Sequence, residues 1–395
     1  MVPTCPLGDP AAQTPQDGFD AYCRDLFAQL PRADQRMWGG VYLRGLVYGR
    51  GRRTPAAITE QVIGRRAVQS IQQFVNQSSW SSTPVRRHLA ERAGRARAPQ
   101  GWIFTEVPFP KDGRYSAGVG RQFVGSAGRT VHCQLGLAAS LAYGEDVLPV
   151  NWRLMLPRHW DDDAGLRGQA HVPDQERSRP RWCHVLETLD EMLDWAVPRA
   201  PVWADFRHER VLDPLLLGLT GRRLPYLVRV GPTTRLQLMA PPGEQPRCRT
   251  LPMAEIARTV LRQASFEAVL RNAPTDGSGR TAHVAVAPIA VGPYTAPQYL
   301  VLERPDHPSR PRSLSVTSLT PDRLGEALAL GDLGQRSADR YRAMREAYGL
   351  GHHEGRSFRG WHHHVTLVSG AAGFHVLRGL EAVGQPEPVG MAVGS

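Results

Sequence analysis

Two groups of residues in this chain are of types that could do chemistry: a histidine-rich run near its C-terminal end and a few carboxylates set beside apolar stretches. His352, His353, His362, His363 and His364 stand close to Glu354 and together suggest a metal site. A structural zinc ion needs ligands that converge on one point. Consecutive side chains on a helix point in different directions, so His362-His363-His364 cannot all reach one ion, and the sequence has no H-E-x-x-H spacing. Nucleophile and phosphate-loop patterns are also missing: there is no G-x-S-x-G elbow, no P-loop and no G-x-G-x-x-G that opens a helix. The glycines of Gly118-Val119-Gly120 fall within a strand-like run, where they mark a bulge or close backbone packing. The carboxylates remain. Asp205 ends the apolar run Val202-Trp203-Ala204-Asp205, and Glu106 lies inside Trp102-Ile103-Phe104-Thr105-Glu106-Val107.

The elements that would position these residues follow from periodicity. Residues 1–18 are rich in Pro, Gln, Asp and Gly and read as a disordered tail. Over residues 19–98 apolar positions recur at helical spacing, as in Phe27, Leu30, Val68, Ile71, Phe74 and Val75, around a basic turn with Arg50, Arg52 and Arg53. This predicts a small helical domain, followed by a basic, proline-containing linker. Strand-like runs then predict β structure at 102–109, 115–124, 131–143 and 149–157, a helix through Leu186, Leu189, Met192 and Leu193, and a strand ending on Asp205. Three antiparallel strands, a helix and a fourth strand bearing a carboxylate is the order of an RNase H-like core, shared with other α/β folds. The expected class is therefore α/β (α+β), with the first part of the core at 99–223 and a mainly β insertion at 224–320. C-terminal helices follow at 321–385 and a tail at 386–395. The first of these helices is expected to run from 321 to 348, broken at Gly331 and Gly334, and the second to start near Trp361.

The run Gly349-Leu350-Gly351-His352-His353-Glu354-Gly355-Arg356-Ser357-Phe358-Arg359-Gly360-Trp361 resembles the signature after the catalytic helix of bacterial DDE-type insertion-sequence transposases, specifically insertion-sequence family seven-oh-one. The resemblance is dense at 103–136, 152–162 and 349–368. It also takes in Ile71-Gln72-Gln73-Phe74-Val75-Asn76-Gln77-Ser78-Ser79-Trp80 in the helical region. It implies DNA as the partner and Mg2+ held by three acids. The family's first acid opens an Asp-Asp-Thr-Gly-Phe-Pro-Lys-Lys-Gly-type strand. The matching stretch here is Thr105-Glu106-Val107-Pro108-Phe109-Pro110-Lys111-Asp112-Gly113, which puts the acidic position on Thr105. The second acid is retained as Asp205, the one metal ligand the resemblance keeps. Counting back from Gly349, the third falls on Ala338. Glu106, Asp339 and Glu354 are the substitutes at hand. Alternation along a strand turns Glu106 to the face opposite Thr105. Asp339 is rotated by about 100° from Ala338 on a helix, and Glu354 lies beyond that helix.

Composition agrees with a polyanionic partner. Lys and Arg total 48 against 37 Asp and Glu, a net charge of +11, and Lys111 is the only lysine. Guanidinium groups stay charged and pair bidentately with phosphate, although a GC-rich coding sequence would also favour arginine. The residues expected to meet DNA are Arg50, Arg52, Arg53, Lys111, Arg114, Arg121, Arg356, Arg359, His362 and His363. Five scattered cysteines without a C-x-x-C pair suit a reduced, cytoplasmic protein and argue against a zinc ribbon. No apolar segment is long enough to span a bilayer. The resulting expectation is a transposase-like DNA-binding protein with two of three acids missing and cleavage impaired, either decayed or recruited for another role, with a homodimer allowed for. The alternatives are an active Mg2+-dependent enzyme with relocated acids and a fold recruited for a non-DNA partner or small-molecule chemistry.

Overall fold

Strands that are apolar on both faces must be covered on both sides, and those flanking Asp205 are of this kind. The computed structural model describes residues 15–64, 67–238, 249–263, 267–271, 280–289, 297–304 and 313–383. Five helices come first: α1 (Pro15–Leu26), α2 (Ala33–Tyr48), α3 (Pro55–Val62), α4 (Val68–Asn76) and α5 (Ser82–Ala96). The meander follows as β1 (Gly101–Pro110), β2 (Gly120–Val124), β3 (Arg129–Tyr143) and β4 (Asp146–Met155). Next come α6 (His159–Asp162), α7 (Ala164–Gln169), α8 (Arg181–Asp194), β5 (Val202–Phe206), α9 (Asp213–Gly221) and β6 (Tyr226–Val230). Beyond them lie β7 (Arg235–Leu238), β8 (Arg249–Pro252), α10 (Met253–Gln263), β9 (Glu267–Arg271), β10 (Arg280–Ile289), β11 (Gln298–Arg304) and β12 (Ser313–Thr317). A 3-10 turn at Pro321–Arg323 leads into α11 (Leu324–Tyr348), and α12 (Phe358–Val383) closes the described chain.

Local chemistry sets several of these boundaries. Thr54 accepts the Ala57 amide and Pro55 fills the first turn of α3, a side-chain cap beside a residue whose missing N–H costs nothing there. Asp163 caps α7 through the Leu166 amide at 2.8 Å. Helix α11 stops at Gly349, whose φ of 66° is the left-handed conformation that glycine adopts without strain.

The core strands run in the order β4-β3-β1-β5-β6, with β2 pairing the first half of β3 on the edge that β4 uses further along. Strands β1, β5 and β6 are parallel, and β3 is antiparallel to β1. This is the RNase H-like arrangement, an α/β fold with the Asp205 strand next to the central strand. Most strands of the stretch read as an insertion join this sheet, while β7 and β8 pair in a small sheet of their own. Strand β6, near the start of that stretch, pairs with β5 along its whole length, and β12, β11, β10 and β9 continue the same sheet outward from β6. The sequence pattern reveals strands but not which edge they join.

Three further expectations change. Residues 15–18 of the expected tail begin α1, while residues 1–14 and the tail at 386–395 lie outside the described residues. Helix α12 starts at Phe358 rather than near Trp361. Helix α11 runs unbroken through Gly331 and Gly334, because both glycines serve packing: a Cβ on Gly334 would sit 2.0 Å from Trp203 Cδ2, and one on Gly331 would sit 3.3 Å from Leu227 Cδ2. The absent side chains let α11 lie flat on β5 and β6.

Candidate functional site

The cleft owes its position to two registers. Ile103 pairs with Trp203, and Trp203 with Leu227. All three residues point to one face and form an apolar cluster with Ala327, Leu330 and Leu333 of α11. Two residues further along the same face stand Thr105, Asp205 and Arg229, and Asp205 is directly paired with Arg229 in the β5–β6 ladder. Pairing of β1 with β5 ends at Phe104 and Ala204. Where the strands part, a cleft of about 240 Å3 opens, lined by Thr105, Glu106, Asp205, Ser337, Ala338 and three arginines, among others.

The positions that the resemblance assigns to the three acids, Thr105, Asp205 and Ala338, all line this cleft. Thr105 is buried, 7% exposed, and its Oγ1 lies 2.8 Å from Ser337 Oγ, which also donates to the Gly334 carbonyl at 2.7 Å. Asp205 is held on several sides. Its Oδ1 accepts the Arg207 amide at 3.1 Å, Arg207 Nε reaches both carboxylate oxygens at 2.9 Å, and Arg207 Nη2 lies 2.8 Å from Oδ2. Arg229 Nη1 is 3.8 Å from the same Oδ2. Burial, reinforced by the Arg207 charge, lowers the pKa of Arg229 from the ordinary guanidinium value.

Glu106 stands on the opposite strand face, as alternation requires, yet it still lines the cleft, which opens where β1 and β5 part. Its carboxylate is 3.2 Å from Arg181 Nη1 and accepts the Gly125 amide at 3.1 Å. Arg181 packs over the Phe206 ring at 4.6 Å. The other two substitute acids lie elsewhere. Asp339 is 66% exposed and paired with Arg342 at 2.8 Å, and Glu354 is an exposed partner of Arg52 at 3.6 Å.

The residues present do not suit a pair of divalent cations. Such ions need free, converging carboxylate oxygens. Here both carboxylates are already engaged by guanidinium groups, and Thr105 and Ala338 carry no charge. Arg181, Arg207 and Arg229 outnumber Glu106 and Asp205, which leaves the cleft wall with one net positive charge. Among the described residues no group of three or more His, Cys, Asp or Glu is placed to hold a metal ion.

The histidine run has a structural role. His363 is 1% exposed, stacks on Trp80 with ring centroids 3.7 Å apart, and sets its two nitrogens 2.8 Å from the Val75 and Trp80 carbonyls. His364 bridges the Tyr42 hydroxyl at 3.1 Å and the Leu350 carbonyl at 3.2 Å. His352 accepts the Arg53 amide at 2.9 Å. These contacts pin the N-terminal helices onto α12 and the loop at 349–357. Burial outweighs the carbonyl contacts and pushes both His363 and His364 down to about 4.

The residues expected to meet DNA divide accordingly. Arg50, Arg52, Arg114, Arg121, Arg356 and Arg359 are exposed. Lys111 instead donates to the His353 carbonyl at 2.5 Å, Arg53 reaches the Ala347 carbonyl at 3.1 Å, and His362 lies 3.0 Å from Arg86 Nη2. For His363 the expected DNA contact is corrected by burial, because no exposed surface is left to offer. Arg181, Arg207 and Arg229 were not anticipated. One signal for them was present: Arg229 interrupts the apolar strand Tyr226-Leu227-Val228-Arg229-Val230 on the face that also carries Leu227.

The strand order, with β5 and β6 parallel to β1 and β3 antiparallel to it, gives the protein an RNase H-like fold. A family model described as DDE superfamily endonuclease matches residues 25–283, about two thirds of the chain, and the protein belongs to that family. The match takes in β1 and β5 and ends before α11. Among curated proteins, none matches the chain. No helix among the described residues is long and apolar enough to cross a membrane.

Proposed function

We propose that this protein binds DNA through a transposase-type fold, that its Mg2+-dependent strand cleavage is lost or strongly impaired, and that it is either decayed or recruited for another role. The observation that carries this reading is the occupancy of Asp205 by Arg207 and Arg229, with Thr105 and Ala338 beside it. Removing a carboxylate from a two-metal centre leaves like charges uncompensated, and even one hydrogen-bond donor lost from a transition state typically costs about 10²–10³ in rate. Belonging to the endonuclease family favours DNA as the partner, as do the exposed arginines around the loop at 349–357.

The test is incubation of the full chain with end-containing DNA and Mg2+ or Mn2+, with nicking followed on a gel. The expected result is binding without turnover. Robust cleavage abolished by Asp205→Ala would overturn the proposal and favour an enzyme using Glu106, the one substitute acid in the cleft. Weak, salt-insensitive DNA binding would favour a non-DNA partner, since phosphate-dominated binding weakens steeply with salt.

A further inference from the structure

We propose that the cleft between β1 and β5 is a metal-free site for a phosphate monoester, in which guanidinium groups face the position where a catalytic centre would place cations. The inference goes beyond the DNA-binding reading above and concerns a different contact. Phosphate is favoured by charge: the wall holds three guanidiniums and two carboxylates, and its other lining groups are neutral. It is favoured also by unspent donors. The Arg181 side chain is nine-tenths buried, at 10% exposed, and among the described residues its Nε has no hydrogen-bond partner; the Nε of Arg229 has none either. A buried donor without an acceptor is costly, and an anion in the cleft that drew either guanidinium toward it would give that donor a partner. A monoester near neutral pH carries close to two negative charges, more than a diester, and gains more from such a wall.

Size and surroundings narrow the ligand. A volume of about 240 Å3 lies below the roughly 300–1,000 Å3 of sites that enclose whole small molecules, so the cleft takes the phosphate and leaves the rest of the ligand outside. Phe123 is 47% exposed, two residues before the lining residue Gly125, and its ring meets that of His208 edge-on with centroids 4.9 Å apart. A Cβ on Gly125 would lie 3.3 Å from His208 and 3.0 Å from Glu106, so this aromatic pair adjoins the cleft wall. Aromatic faces of this kind stack nucleobases without regard to sequence. The ligand class is therefore a nucleotide bearing a terminal phosphate, at a DNA strand end or free in solution.

The experiment measures binding of the full chain in EDTA to one short oligonucleotide in 5′-phosphorylated, 3′-phosphorylated and unphosphorylated forms, and to inorganic phosphate alone. One phosphorylated form should bind about tenfold or more tighter than the unphosphorylated one, as charge-assisted pairs allow. Arg229→Gln should erase that preference, while Arg52→Gln weakens all three forms alike. Phe123→Ala, an exposed change that spares the core, should weaken the preferred form by roughly fivefold or more. Phosphate that binds and competes with the phosphorylated oligonucleotide supports the site. If phosphate binds and is lost in Arg229→Gln while no oligonucleotide binds, the site stands with a free nucleotide as its ligand and the DNA-binding proposal fails. Equal affinity for all three oligonucleotides, or a preference that needs Mg2+, overturns the phosphate site and leaves DNA binding intact.

Discussion

Thr105 Oγ1 lies 2.8 Å from Ser337 Oγ, so the position aligned with the first acid is closed by a hydroxyl pair shared with the helix that carries Ala338. Ser337 keeps its bond to the Gly334 carbonyl when Thr105 is changed. Thr105→Val should therefore cost only about 1 kcal/mol, the net worth of one hydrogen bond, in urea unfolding. Rebuilding the acids as Thr105→Asp with Ala338→Glu should not produce Mg2+-dependent nicking, because Arg207 and Arg229 still occupy Asp205. Cleavage by this double variant would show that the arginines yield to metal.

Gly334 carries the helix that closes the cleft. A methyl group there would stand 2.0 Å from Trp203 Cδ2 and 2.2 Å from Cε2, a ring packed in the core with little room to move. Gly334→Ala improves helix propensity by about 1 kcal/mol, yet overpacking of this kind costs roughly 1–3 kcal/mol. The close contact should win, giving a lower melting temperature, with α11 and Ser337 displaced from Thr105. An unchanged or higher melting temperature would mean that α11 does not lie flat on β5.

The sequence makes the supports of this cleft easier to read than its charge. Apolar runs around Phe104 and Ala204 are long and β-rich enough to indicate β1 and β5, and the counts back from Gly349 bring Ala338 to the cleft where Asp205 stands. Arg229 becomes visible as a neighbour of Asp205 only once β6 is known to pair with β5 in that register, a long-range fact with no local signal. Arg181 is harder still, since it reaches Glu106 from the first turn of α8 on the other side of the sheet. The histidines show the opposite problem: residue type placed His363 on a DNA surface, whereas burial against Trp80, like that of His364 against Tyr42, makes these rings the means by which two layers of helix hold together.

Exposed arginines around the loop at 349–357 should account for most of the salt dependence of DNA binding. Each phosphate contact contributes roughly 0.9 to the slope of log affinity against log salt on duplex DNA. Arg52→Gln and Arg356→Gln should each lower the slope by about that amount and weaken binding alike for all sequences. Lys111, spent on the His353 carbonyl, should behave differently. Lys111→Met should cost stability while leaving the salt slope unchanged, a split readily tested by titrations at several salt concentrations beside thermal melts.

Acid should unfold this protein through its buried histidines. His184, His363 and His364 are all pushed down to about 4 from the ordinary 6.5, chiefly by burial. Between those values the unfolded chain binds protons that the folded chain refuses. The stability these groups confer is thus complete above about pH 6.5 and falls away as the pH drops toward 4, by at most on the order of 3 kcal/mol for each. His184 offers the cleanest test. It is 1% exposed, and neither ring nitrogen has a hydrogen-bond partner among the described residues. His184→Leu therefore removes a titrating group without breaking a bond, at similar volume. It should flatten the pH dependence of urea unfolding and raise stability at pH 5 above that of the parent, with little change at pH 8. A slope identical to the parent's would show that His184 takes up its proton in the folded state, and the account of a neutral imidazole enclosed beneath α8 would have to be abandoned.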